Sequence, residues 1–94
     1  MKHNPRNIVG PQLRLIRNER GLSQPQLAEI LQRKGWDISR DILAKIEDQR
    51  RWLADFEVAF LAEVLKVAVP ELFASKGRSE KPGDYISRLE RGLR

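Results

Sequence analysis

The chain has 94 residues, room for one small domain and little beyond it. It contains no cysteine, which excludes a disulfide framework and a thiolate metal site. Its net charge of +5, from 18 Lys or Arg against 13 Asp or Glu, is compatible with a polyanionic partner without requiring one.

No apolar run approaches the ~20 residues that a membrane span needs. The first residues lack the apolar stretch of a secretory signal, so a cytoplasmic address and no membrane partner are expected. The charge is uneven along the chain. Residues 1–20 carry five Lys or Arg against one acid, and residues 32–51 carry six against four. Residues 52–75 carry one Lys against four acids. Such asymmetry points to a single anion-facing side, with a scattered solvated surface as the alternative.

Residues 1–7 read as a flexible N-terminal arm, and 8–74 as the folded domain. Gly10-Pro11 suits the opening of a first helix, because proline loses nothing at the first helical position. Leu13 and Ile16 mark its apolar side, and Arg14, Arg17 and Arg20 dominate the rest. Gly21 supplies a left-handed stop. A second helix restarts at once in "GLSQPQLAEIL", where Ser23 and Gln26 have the spacing of a capping box. Leu27, Ile30 and Leu31 form its inward stripe.

The stretch "LQRKGWDISRDILAKIE" then raises a question of connection. With Gly35 as the left-handed residue after the helix, Trp36 comes next and Leu31 lies three positions before the cap. That is the spacing of a Schellman ending, so the second helix is expected to extend through the basic turn Arg33-Lys34. Ser39 can cap a third helix over about 39–47, with Asp41 favourably placed in its first turn. Leu43 and Ile46 face inward there, behind Ile38. After a polar connection over 48–51, Asp55 can cap a fourth helix with apolar positions Phe56, Phe60, Leu61, Val64 and Leu65. Pro70 opens a short fifth helix, "PELF", expected to return Leu72 and Phe73 to the core. No segment alternates with strand period, so an all-α domain of five short helices follows. "SKGRSEKPG" has linker composition. Tyr85, Ile86, Leu89 and Leu93 behind it recur at helical spacing, which makes the 75–94 tail either a frayed end or an extra C-terminal helix.

Taken together, "LRLIRNERGLSQPQLAEIL", "ISRDILAKIE" and "EVAFLAEVLKVAVPELF" resemble the Cro/XRE-type helix-turn-helix family, with its compact lambda-repressor-like fold. The resemblance covers roughly residues 8 to 74. It implies a sequence-specific DNA-binding protein, a small prokaryotic or phage-type transcriptional regulator, most often a repressor. By this resemblance Arg40, Asp41, Ala44 and Lys45 lie where family members read base edges, and Gln24 where they touch the phosphate backbone. It also implies a structural ion pair between Arg17 and Glu47.

Helical geometry independently puts 40, 41, 44 and 45 on one side and 43 and 46 on the other. Arg40 carries the fork that grips guanine O6 and N7. Asp41 can accept from cytosine N4, or only orient Arg40. Lys45 can read guanine or neutralise a phosphate. Lys2, Arg6, Arg33, Lys34, Arg50 and Arg51 complete the expected phosphate contacts.

Three departures from the family pattern stand out. The joint between helices two and three is about five residues longer than the usual tight turn. Ile42 occupies a position commonly held by a small hydroxyl residue, where it meets a thymine methyl or packs beneath Trp36 or Trp52. Trp52 is unusual at its place; core cover between helices three and four, or a dimer contact, would explain it.

A homodimer on a palindromic operator is the expected assembly, because one such domain buries too little DNA surface for tight, selective binding. The rival is an antitoxin or adaptor that uses the same fold to hold a protein partner, through Trp36, Ile42, Trp52 or the tail. An enzyme is not expected. His3 is the one histidine, the acids 55, 57 and 63 suit a solvated helix face, and no cofactor motif or metal-ligand spacing is present. The aromatic-faced sheet of common RNA modules is absent too.

Overall fold

A computed structural model describes residues 4–73, and within them the chain forms five helices and no strand. They are α1 Gly10–Glu19, α2 Gln24–Arg33, α3 Arg40–Glu47, α4 Asp55–Leu65 and α5 Val69–Leu72. Helix α3 packs between α1 and α2, while α5 folds back on α4 and α1. Leu13, Leu27, Leu31, Leu43, Ile46, Leu61 and Leu72 meet in a fully buried core. Each such leucine contributes about 1.5–3 kcal/mol through removal from water.

Capping chemistry sets most boundaries. Ser23 Oγ accepts from Gln26 N at 3.2 Å and Gln26 Oε1 accepts from Ser23 N at 2.8 Å, the two arms of a capping box. Ser39 Oγ accepts from Ile42 N at 3.2 Å and starts α3. At the end of α2, Trp36 N donates to Leu31 O at 2.9 Å and Gly35 N to Gln32 O at 3.1 Å. These are the two bonds of a Schellman ending, with Gly35 at φ 109°. Trp36 is thereby folded back onto the core. Gly21, at φ 71°, ends α1 in the same way. Helices α3 and α4 use the same ending with non-glycine residues, Gln49 at φ 64° and Lys66 at φ 58°.

Several expectations require correction. Asp55 is the first residue of α4, and the cap is Ala54, whose N–H donates to Glu57 Oε1 at 2.9 Å. Phe56 is 73% exposed and Val58 takes an inward place instead, while Phe60, Leu61, Val64 and Leu65 lie in or against the core as expected. Phe73 is 41% exposed, leaving Leu72 alone to anchor α5. Trp52 is 57% exposed and does not cover the core. Asn7 and Val9 are buried, so the domain begins before residue 8. Residues Lys2 and His3, and the 75–94 tail with Tyr85, Ile86, Leu89 and Leu93, lie outside the described residues. No helix among the described residues is long and apolar enough to cross a membrane.

Candidate nucleic-acid interface

Helix α3 is eight residues long, and its two sides differ in chemistry. Leu43, Ile46 and Glu47 are buried, while Arg40, Asp41 and Lys45 are exposed and Ala44 is half-buried between them. The expected reading residues therefore share one outward side. Arg40 Nη1 lies 3.6 Å from Asp41 Oδ1, an exposed pair that leaves most of both groups in solvent. Ile42 packs against the core rather than joining this side.

The end of α3 is held by a buried carboxylate. Glu47 Oε2 accepts from Arg17 Nε at 2.7 Å, and Oε1 accepts from Arg17 Nη2 at 3.0 Å. Oε1 also accepts from Gln24 Nε2 at 3.1 Å and from Arg14 Nε at 3.2 Å. Arg17 in turn donates to Leu22 O at 2.7 Å, tying the turn after α1 into the same node. A buried carboxylate with its lone pairs so satisfied fixes orientation more surely than it adds net stability. Arg14 extends the node to Asp48 Oδ1 at 2.6 Å, and that bond raises the Arg14 pKa above its ordinary value.

The expected phosphate contacts separate into groups. Lys34 and Arg50 are exposed and make no ion pair with a described residue, and the same holds for Lys45. Arg33 pairs with Glu29 one helical turn earlier, both exposed. Such a pair is worth about 0.3–0.5 kcal/mol and yields readily to a phosphate. Arg6 is exposed, with Nη1 at 3.5 Å from Arg50 O. Gln24 uses its amide on Glu47 and so braces α3 from α2.

Arg51 is engaged within the fold. Its guanidinium donates from Nη1 and Nη2 to the two Glu57 oxygens at 3.0 and 3.2 Å, and stands over the Trp36 ring at 5.9 Å. Trp36 meets Phe60 edge-on, with ring centroids 6.1 Å apart. Arg51 is thus a latch that fastens the end of α2 to the start of α4. The same pairing holds the Glu57 carboxyl below its ordinary pKa, against the opposing effect of burial.

Four contributors escaped the sequence reading: Asn7, Arg14, Asp48 and Glu57. Asn7 Oδ1 accepts from Gly10 N at 2.8 Å, and its Nδ2 donates to Ile46 O at 3.1 Å and Arg51 O at 2.8 Å. The Asn7–Gly10 bond spans only three residues, a local side-chain-to-backbone bond of the kind asparagine favours and so a legible sign. The other three depend on which distant segments meet. Among the described residues no group of His, Asp or Glu stands where it could hold a metal ion.

No family model, no curated protein and no solved structure matches this chain.

Proposed function

We propose that this protein binds double-stranded DNA sequence-specifically, as a lambda-repressor-like helix-turn-helix regulator with α3 in the major groove. The observation that carries this reading is the contrast within α3. Its outward side offers Arg40, Asp41 and Lys45 to a ligand, while Glu47 at its end is locked to α1 and α2. A reading helix needs both properties: free side chains and a fixed angle. Ala44 between them is small enough to allow close approach to base edges or a thymine methyl.

Arg40 grips a guanine and Lys45 reads a second base or holds a phosphate. Arg6, Arg33, Lys34 and Arg50 hold backbone phosphates, which position the domain and carry most of the affinity. Affinity then falls with salt, with a log–log slope of about −0.9 for each phosphate neutralised. A homodimer supplies two reading helices to a palindromic site, half-sites ~34 Å apart or a multiple of it. Repression follows wherever such a site overlaps a promoter.

The test compares two single variants. Arg40→Ala weakens the preferred site by ~1–3 kcal/mol and relaxes one base position, whereas Arg50→Ala weakens all sequences alike. An identical, sequence-independent loss in both would remove α3 from the reading role.

A protein-binding module is the second reading, and one observation favours it. Exposed Phe56 lines a hollow of about 380 Å³ with Lys34, Gly35, Trp36, Glu57 and Phe60. Co-purification of a second polypeptide that survives nuclease treatment, and is lost in Phe56→Ser, would support that use.

A further inference from the structure

Residues 6 and 7 run pinned beside residues 49–51, although some 40 positions separate them in the chain. Arg6 N donates to Gln49 O at 2.9 Å, and Gln49 Nε2 donates to Asn7 O at 3.0 Å. Asn7 is buried, and its side chain spends both kinds of polar atom on this junction. It bonds the last turn of α3 through Ile46, the following loop through Arg51, and the start of α1 through Gly10. Gly10 allows this approach, since a Cβ there would collide with the Ile46 and Glu47 carbonyl oxygens.

The junction gathers like charges. Gln49, in its left-handed conformation, turns the chain so that Arg50 leaves α3 outward, with Arg50 N bonded to Lys45 O at 2.8 Å. Arg6 Nη1 reaches the Arg50 carbonyl. Arg6, Lys45 and Arg50 thus belong to one short stretch of backbone at the end of α3, and no acid pairs with Lys45 or Arg50 among the described residues. Exposed cations carried on a backbone already ordered by hydrogen bonds make a preorganised anion grip, with Asp48 beside them occupied by Arg14.

We infer that Asn7 is a positioning residue that joins Arg6 and Arg50 into one grip for backbone phosphates of duplex DNA, built before DNA arrives. This rests on the DNA-binding reading of α3 proposed above. It differs from an independent basic arm, because Arg6 acts only while Asn7 holds its backbone against the 49–51 loop.

The experiment measures binding of the full chain to a 20-base-pair random-sequence duplex as salt is raised, in wild type, in three single variants and in two double variants, Asn7→Ala with Arg6→Ala and Arg6→Ala with Arg50→Ala. The slope of log affinity against log salt counts phosphates neutralised, at about 0.9 each. Arg6→Ala and Arg50→Ala each lower the slope by about 0.9, and both retain the backbone junction. Asn7→Ala lowers it by about as much as Arg6→Ala, and adds nothing further in the Arg6→Ala background. Circular dichroism and thermal melting confirm that each protein compared is folded; if Asn7→Ala does not fold, Asn7→Ser replaces it. A merely structural Asn7 would change the melting temperature and leave the slope of the folded protein alone. Wild-type binding with a slope unmoved by Asn7 substitution, or by loss of both arginines, overturns this inference alone. Absence of salt-dependent duplex binding by the wild type would overturn the parent reading with it.

Discussion

At its last turn α3 receives side chains from three other parts of the chain: Arg14 and Arg17 of α1, Gln24 of α2, and Asn7 ahead of α1. At its first turn the side-chain bond to its backbone comes from its own cap, Ser39. Arg40 and Asp41 there are exposed and touch mainly each other. One end is therefore built as a mount and the other as a probe. On the DNA-binding reading proposed above, a domain this small gains specificity by spending its buried polar contacts away from the bases. On that reading, a probe that wavered would offer Arg40 many geometries, and discrimination between bases needs few.

The largest effect is expected at the mount. Glu47→Ala leaves the Arg17 guanidinium buried without its partner, at a cost of about 3–5 kcal/mol, read by urea unfolding. A loss under 1 kcal/mol would mean that the node is not what holds α3. Gly10→Ala comes next, because the added methyl forces α1 away from the Ile46 and Glu47 carbonyls. Overpacking of this kind costs about 1–3 kcal/mol, and amide exchange at the α1–α3 contact should quicken. At the probe end, Ser39→Ala removes a cap worth ~1 kcal/mol and frays the first turn. If Ser39→Ala matched Glu47→Ala in cost, the two ends would be held alike and the contrast would disappear.

Much of this architecture was legible in the residues. Ser23 with Gln26, Ser39, Gly21 and Gly35 with Trp36 each carry a local sign of where a helix starts or stops. The long joint between α2 and α3 resolves as an extra basic turn closed by a Schellman ending. What stayed hidden has definite causes. In "DFEVAFLAEVL" apolar residues occupy nearly every side, so periodicity could not separate Val58 from Phe56. Gln49 and Lys66 adopt the left-handed conformation without the glycine that would announce it. Arg51 reads as a free cation in sequence, because its partners, Trp36 and Glu57, reach it only once α2 and α4 meet. The same reasoning applies to Arg14. Its neighbours in sequence say nothing of Glu47 and Asp48, which arrive from α3 and its cap.

The most direct measurement is selection of bound sites from random duplex DNA, run in parallel with wild type and Arg40→Ala, with the size of each complex determined. The expected result is a two-fold symmetric motif bound by two chains, with loss of one base preference in each half-site in Arg40→Ala. Recovery of no motif by the wild type, or of the same motif by both proteins, would contradict it.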